Sequence, residues 1–258
     1  MRLHVHEWGT ADASPLLCLH GVTGWGGRFR RLAEERLGAY HVVAPDLRGH
    51  GVSDWEPPWN LGTHIDDLLE TLDALHLDRV DVVGHSFGGR LGLELAARQP
   101  ERVGRLVLLD PAVWVPPHVA LDRAELTRHD ESFASVDEAV ATRLVANPLA
   151  DRNFVAEELP GHLQVGEDGR WRARFARSAV IAAYGEMAKP PPLDRVAAPT
   201  LLIRAVDSEV VPQRLVDVVL EAMPSCEIVT VPGGHIVMWE AFDETASATL
   251  AFLENSRA

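Results

Sequence analysis

The fold is decided by the stretch RVDVVGHSFGGRLGLELAA, residues 79–97. Its first five residues have the branched, apolar character of a buried parallel strand, and residues 90–97 place apolar side chains at helical spacing. Between the two the chain must reverse sharply, and Gly84 and Gly88 stand where side chains would collide. Ser86 lies midway between these glycines. The stretch therefore predicts a strand, a nucleophile elbow and a helix.

The position of Ser86 suits a nucleophile. Its hydroxyl is expected at the start of a helix, where backbone N–H groups and the helix dipole favour a developing negative charge. A serine hydroxyl needs a base to take its proton, and histidine is the usual one. Among twelve histidines, His235 follows a late strand on the loop Pro232-Gly233-Gly234-His235. We predict that His235 is the general base, the alternative being that it caps the next helix.

A carboxylate is expected to orient His235. Two carboxylates, Asp207 and Glu209, lie in the loop after the preceding strand, Ala205-Val206-Asp207-Ser208-Glu209. Asp207 is the predicted acid, because the chain order serine, acid, histidine is the one expected for a hydrolase built on such a sheet. Glu209 and Asp110, which ends the strand after the elbow helix, stay open as alternatives.

Two backbone amides are predicted to form the oxyanion hole. The segment His20-Gly21-Val22-Thr23-Gly24 follows a buried strand, and its Val22 N–H is expected to provide one donor. The Phe87 N–H, directly after the nucleophile, is expected to provide the other. The side chain of His20 is expected to bond loop backbone rather than to take part in chemistry.

Length and composition indicate one α/β domain with an insertion. The chain has 258 residues, 47% of them hydrophobic, and a formal net charge of −14. This charge argues against nucleic acid and anionic membranes as partners and favours a neutral or cationic substrate, unless a local basic pocket overrules it. No apolar run reaches the roughly 18 residues of a membrane helix, and no signal core is present, so a cytoplasmic location is expected. Cys18 and Cys226 are predicted to be reduced core residues.

Strands and helices alternate over residues 1–111 and 197–258. This alternation predicts an α/β core with a mainly parallel sheet flanked by helices. Residues 112–196 break the alternation with helix-like pieces and no convincing strand, and prolines at 116–117 and 190–192 bound them. We predict that this segment is a helical insertion into the core.

No cofactor or metal is expected. His4 and His6 face one side of a strand, but no acidic or cysteine partner accompanies them at ligand spacing, which favours surface or packing roles. The glycines around Ser86 lack both the GxGxxG spacing and the P-loop lysine.

Taken together, these motifs resemble the α/β-hydrolase superfamily, in its capped esterase, epoxide-hydrolase and haloperoxidase-like branch. The resemblance rests on His20-Gly21, the DLRGHGVS segment at 46–53, the Ser86 elbow, the helical insertion, Asp207 and Gly234-His235. It implies a sheet of eight strands, a lid inserted after the sixth, and catalysis without metal or cofactor. In one respect the chain departs from the pattern. Many relatives carry the acid four positions before a proline, and Ser208 holds that offset from Pro212 here.

The nucleophile separates branches of this superfamily, because relatives that attack alkyl carbon use an aspartate. Ser86 favours acyl transfer to water, and the predicted activity is hydrolysis of a carboxylic ester or lactone through an acyl-enzyme. Three kinds of enzyme with the same triad are alternatives: a perhydrolase or haloperoxidase, a C–C bond hydrolase and an aminopeptidase. A ligand receptor with this fold and no catalytic activity is a further alternative.

Two sets of cap residues bear on the substrate. An aminopeptidase is expected to hold the substrate amine with cap acids, and the candidates are Asp130, Glu131, Glu157 and Glu158. Cap aromatics are candidates for lining an acyl or alcohol pocket: Trp114, Phe133, Phe154, Trp171 and Tyr184. The expected partner is a small-molecule ester or lactone, and the expected assembly is a monomer or small homo-oligomer.

Overall fold

A mainly parallel sheet forms the centre of the protein. The computed structural model describes residues 3–255. The strands in chain order are β1 (Val5–Trp8), β2 (Ser14–Leu19), β3 (Tyr40–Pro45), β4 (Val80–His85), β5 (Val103–Leu109), β6 (Leu163–Val165), β7 (Trp171–Ala173), β8 (Thr200–Ala205) and β9 (Glu227–Val231). Seven of them form one sheet in the order β1-β3-β2-β4-β5-β8-β9, with only β1 antiparallel to its neighbour.

The expectation of eight strands is wrong by one in the described residues. Before the oxyanion segment the described residues form β1 and β2, and β1 is the antiparallel strand at the edge of the sheet. As a result the cap insertion follows the fifth strand of this chain rather than a sixth.

Helices cover both faces of the sheet, as predicted. In chain order they are α1 (Arg30–Glu35), α2 (Leu61–Ala74), α3 (Phe87–Arg98), α4 (Pro117–Thr127), α5 (Val136–Ala146), α6 (Arg152–Glu158), α7 (Arg177–Met187), α8 (Gln213–Ala222), α9 (Val237–Glu240) and α10 (Phe242–Asn255). Side chains of β2 alternate between two apolar cores: Leu17 packs with residues of α2, α3 and α8, and Leu16 with residues of α1 and α10. A strand buried on both faces has to be apolar throughout, which explains its sequence.

Helix α2 shows how local sequence sets an element. The side chain of Asn60 accepts a hydrogen bond from the Thr63 amide at 2.9 Å and caps the helix. Ile65, Leu68 and Leu72 recur on one face and are buried against the sheet.

The cap segment, residues 112–196, lies between β5 and β8. It contains α4 to α7 and a short antiparallel hairpin of β6 and β7. The prediction that this segment has no strand is therefore wrong. The cap segment has an apolar core of its own, which includes Phe133, Phe154 and Leu159. Its boundaries as a separate domain stay a prediction.

Two contacts hold the cap segment on the sheet. The buried guanidinium of Arg90 donates to the carbonyls of Val113 at 2.8 Å and Lys189 at 2.9 Å, at the two ends of the segment. The loop after β3 bonds the stretch of the cap segment just before α7. The Gly51 amide donates to the Arg174 carbonyl and the Ala176 amide donates to the Gly49 carbonyl, both at 2.7 Å. The elbow helix and the DLRGHG loop thus fix where the cap segment sits.

Cys18 and Cys226 are unpaired and buried, as predicted. Burial raises the pKa of both thiols, that of Cys226 to about 11, so both stay protonated at neutral pH. Within residues 3–255, no helix is both long and apolar enough to cross a membrane.

Candidate active site

The backbone at Ser86 is held in a conformation that residues other than glycine rarely adopt. Its φ is 54° and its ψ is −115°. The Ser86 amide donates to Leu109 at 3.1 Å, and its carbonyl accepts from Arg90 at 3.2 Å and Ala112 at 3.0 Å. Such strain costs about 1–3 kcal/mol and persists only when neighbours fix it. Bonds from the end of β5 and the first turn of α3 do so here.

The two glycines of the elbow are required for steric reasons, as the sequence predicts. A Cβ on Gly84 would overlap the carbonyl of Gly88, and one on Gly88 would overlap the carbonyl of Leu19. The backbone of α3 therefore lies in direct contact with the backbones of β4 and β2. This approach turns the Ser86 hydroxyl out of the sheet edge.

The imidazole of His235 connects the serine to a carboxylate. Its Nε2 lies 2.9 Å from Ser86 Oγ, and its Nδ1 lies 2.7 Å from Asp110 Oδ2. An ionised carboxylate only accepts, so the Nδ1–H donates to Asp110 and Nε2 is left to accept the serine proton. The three side chains form the arrangement that nucleophilic catalysis requires.

The structure corrects the predicted acid. Asp207 and Glu209 are exposed, and neither carboxylate bonds His235 among the described contacts. The Asp207 amide extends the pairing of β8 with β9 by donating to the Gly233 carbonyl at 3.0 Å, and the Asp207 side chain is exposed. Asp110 is fully buried at the end of β5. Its amide donates to Ile203 at 2.7 Å and its φ of 39° turns the side chain under His235.

Ser208 is a site residue that sequence reasoning missed. Its Oγ donates to Asp110 Oδ2 at 2.5 Å, and the Ala205 amide donates to Asp110 Oδ1 at 3.0 Å. The signal was the offset from Pro212, at which Ser208 stands where relatives carry the acid. A serine hydroxyl at that position supports a carboxylate that comes from the neighbouring strand.

Val22 and Phe87, the predicted oxyanion donors, are both next to residues of the nucleophile region: Val22 follows Gly21, on which a Cβ would lie 3.1 Å from Ser86 Cβ, and Phe87 follows Ser86. Among the described residues neither amide has a hydrogen-bond acceptor. His50 Nε2 donates to the Val22 carbonyl at 2.6 Å, which fixes the orientation of the oxyanion segment. Their role in binding an oxyanion stays a prediction.

The side chain of His20 bonds loop backbone, as predicted. Its Nδ1 donates to the Gly21 carbonyl at 2.8 Å, and its Nε2 accepts from the Leu47 amide at 2.9 Å. Burial and the neighbouring His50 lower the pKa of His20 well below its ordinary value. A neutral ring is what lets Nε2 act as an acceptor.

A cavity of about 1390 Å³ opens over Ser86 and His235, between the core and the cap segment. Of the five aromatic candidates, Trp114 and Tyr184 line it. Phe133 and Phe154 are buried in the apolar core of the cap segment, and Trp171 packs against it. The lining is mostly apolar, which suits an organic substrate.

The four cap acids do not line this cavity. Asp130 pairs with Arg172 at 2.7 Å, and Glu131 with Arg143 at the same distance. Glu157 pairs with Arg30, and Glu158 is buried. Their placement gives no support to an aminopeptidase.

His4 and His6 have an acidic neighbour that sequence spacing did not reveal. Their ligand atoms and those of Asp46 lie within 4.8 Å of one another. The Asp46 carboxylate already accepts from the amides of Gly26 at 2.8 Å and Val52 at 3.0 Å, and from His6 at 3.2 Å. Burial raises the pKa of Asp46, but these hydrogen bonds outweigh burial and hold it below its usual range. Asp46 thus anchors loop backbone.

Known proteins resemble this chain over most of its length. A model of the alpha/beta hydrolase fold matches residues 14–242. Lipase LipV of Mycobacterium tuberculosis is 35% identical over 205 residues, which cover 79% of this chain and 78% of that protein. Esterase YbfF of Escherichia coli is 28% identical, with 94% of each chain covered. The crystal structure of E-2-(acetamidomethylene)succinate hydrolase matches at a TM-score of 0.86 and 24% identity, covering 98% of this chain and 95% of that one.

Proposed function

The chain belongs to the α/β-hydrolase family, and from this premise we propose that it hydrolyses carboxylic esters or lactones through a Ser86–His235–Asp110 triad. The observation that carries the proposal is the continuous hydrogen bonding from Ser86 through His235 to Asp110, at 2.9 Å and 2.7 Å. Two similar proteins bear the names lipase and esterase, which favours ester hydrolysis within this family of hydrolases.

In the proposed first half-reaction, Ser86 Oγ attacks the substrate carbonyl carbon while His235 Nε2 takes the serine proton. The carbonyl oxygen becomes an oxyanion that accepts from the Val22 and Phe87 amides. Buried Asp110 keeps the Nδ1–H in place and stabilises the imidazolium that forms. The C–O bond then breaks, and His235 gives its proton to the leaving alcohol.

In the second half-reaction water attacks the acyl-enzyme. His235 Nε2 takes a proton from that water, and the same two amides hold the second oxyanion. The bond from the acyl carbon to Ser86 Oγ breaks, Ser86 recovers its proton from His235, and the acid leaves through the cavity. A cytoplasmic location and a monomer or small homo-oligomer remain part of this proposal.

A fluorophosphonate probe tests the nucleophile. We expect the wild-type protein to be labelled at one site and Ser86→Ala to remain unlabelled while keeping its circular dichroism. Ser178→Ala is the matched control, because Ser178 is an exposed serine of the cap segment. Folded wild-type protein that takes no label would refute the proposed function.

A further inference from the structure

One buried arginine beside the site has a guanidinium donor without a hydrogen bond. The side chain of Arg28 is only 6% exposed, and among the described residues its buried Nε has no hydrogen-bond partner. Its Nε lies 3.6 Å from Glu158 Oε1, which makes an ion pair, and its guanidinium lies 4.6 Å from the centre of the Trp239 ring. Buried donors left open in this way are uncommon in native proteins.

Glu158 lies just beyond hydrogen-bond distance of Arg28 Nε, at 3.6 Å, and two tryptophans hold its carboxylate there. Trp25 Nε1 donates to Glu158 Oε1 at 2.6 Å, and Trp239 Nε1 donates to Oε2 at 3.0 Å. Glu158 is itself buried, so it offsets the charge of Arg28 without taking up its N–H groups. The guanidinium is therefore held in place by charge and stacking, and its donors remain for another acceptor.

Arg28 faces a small cavity that adjoins the large one over Ser86. The small cavity has a volume of about 50 Å³, more than one water requires. Arg28, Thr23, Asn147 and Ile236 line both cavities. Thr23 follows Val22 of the predicted oxyanion hole and Ile236 follows His235, so one substrate can extend from Ser86 to Arg28.

The other charged groups of the small cavity have partners or are neutral. Arg143 lines it but pairs with Glu131 at 2.7 Å. His162 lines it as well, and burial followed by the charge of Arg28 lowers the pKa of His162 to about 3. The large cavity also has Asp207, Glu209 and Glu240 on its wall, together with Arg123 and Arg214. At the end near Thr23 and Asn147, Arg28 is the cation with open donors.

We propose that Arg28 binds a free carboxylate of the substrate, so that the esters or lactones cleaved at Ser86 carry a second, anionic carboxylate group. The inference rests on the proposed function. A guanidinium presents parallel N–H donors whose spacing matches a carboxylate, and such charge-assisted bonds strengthen in a buried site. The net charge of −14 does not oppose this binding, because exposed charges are screened beyond roughly 8 Å at physiological salt.

Paired esters test the inference on the wild-type enzyme. The mono-p-nitrophenyl ester of adipic acid and p-nitrophenyl hexanoate have the same chain length and differ in the terminal carboxylate. An alcohol-side pair, acetate esters of a phenol with and without a carboxymethyl group, covers the other orientation. In one of the two pairs we expect kcat/KM at least about tenfold higher for the anionic ester. Equal turnover in both pairs would overturn the inference.

Variants assign the preference to Arg28. Arg28→Gln with Glu158→Gln removes both members of the ion pair, and the anionic-to-neutral ratio of kcat/KM is expected to fall about 10- to 100-fold. Arg30→Gln, at an exposed arginine two residues away, is expected to keep the ratio. A ratio unchanged in the double variant contradicts the assignment.

Two further readouts separate the possible failures. If the double variant does not fold, inhibition of the wild type decides, because adipate is expected to bind more tightly than hexanoate and equal binding overturns the inference. Absence of both fluorophosphonate labelling and ester turnover rejects the proposed function. Turnover of all esters without a preference rejects only the role of Arg28.

Discussion

At the scale of single residues, Asp110 Oδ2 accepts two hydrogen bonds at once. His235 Nδ1 lies 2.7 Å from it and Ser208 Oγ lies 2.5 Å from it. Ser208 also lines the cavity over Ser86, but its hydroxyl bonds Asp110, so we expect it to act through Asp110 as a positioning residue. Its hydroxyl restricts where the carboxylate meets the imidazole.

Ser208→Ala is expected to lower kcat about tenfold with little change in KM, because one charge-assisted hydrogen bond to Asp110 is lost while the substrate cavity is kept. Ser208→Thr keeps the hydroxyl and is expected to restore most of kcat. Steady-state kinetics on an aryl ester measures both. A loss in KM alone, or no rescue by threonine, would show that Ser208 does not act through Asp110.

The sequence was sufficient to predict that Ser86 and His235 lie together, but it was insufficient to choose the carboxylate that bonds His235. Ser86 and His235 each follow a strand within a glycine-containing loop, and spacing alone indicates their place at the sheet edge. Asp110, Asp207 and Glu209 all follow strands of the same edge. Which of them turns inward depends on backbone bonds between β5 and β8, and no local pattern encodes those bonds. Arg28 was missed for the same reason, since its partners lie in the cap segment.

At the scale of elements, the elbow requires the backbone of α3 to lie in direct contact with the backbones of β4 and β2. Gly88→Ala is expected to destabilise the protein by roughly 3 kcal/mol or more, because its Cβ would overlap the Leu19 carbonyl. Gly185→Ala is the matched control: nothing lies within 4 Å of the position of its Cβ in helix α7, and a gain of about 0.5–1 kcal/mol is expected. Urea unfolding measures both. Equal stability of the two variants would contradict the close approach.

The elements of the core were easier to predict than those of the cap segment. Strands β2, β4 and β8 each contain a run of apolar residues that is buried on both faces of the sheet, and that composition is visible in sequence. Strands β6 and β7 have three residues each, too few for a period of two to be recognised. Helix α4 begins at Pro117, which is tolerated in the first turn but was interpreted as part of a stiff connection.

At the scale of the whole molecule, buried histidines make stability depend on pH. Burial lowers the pKa of His20, His50, His64, His85 and His162, for His64 and His162 to about 3. These histidines are neutral in the folded protein and regain a pKa near 6.5 in the unfolded chain. At pH values between the folded and the unfolded pKa, the unfolded chain therefore binds more protons. Stability is therefore full above pH 6.5 and falls as the pH drops toward 3.

For His64 and for His162, whose pKa values are lowered to about 3, the expected loss between pH 7 and pH 5 is on the order of 1–2 kcal/mol each. His64→Gln removes one of them and is expected to reduce the loss by that amount, because glutamine does not titrate. His129→Gln, at an exposed histidine, is expected to keep the wild-type dependence. Urea unfolding at the two pH values decides. A His64→Gln protein with the full wild-type loss would refute the assignment.

The whole fold also brings the residues of the proposed triad together. Ser86 follows β4, Asp110 follows β5 and His235 follows β9, so the three meet only when the sheet order is complete. The most direct measurement compares kcat for an aryl ester in the wild type, Asp110→Asn and Asp207→Asn. Asp110→Asn is expected to lower kcat by about 10⁴-fold, whereas Asp207→Asn stays within about twofold. Activity lost in Asp207→Asn and kept in Asp110→Asn would contradict the Ser86–His235–Asp110 triad.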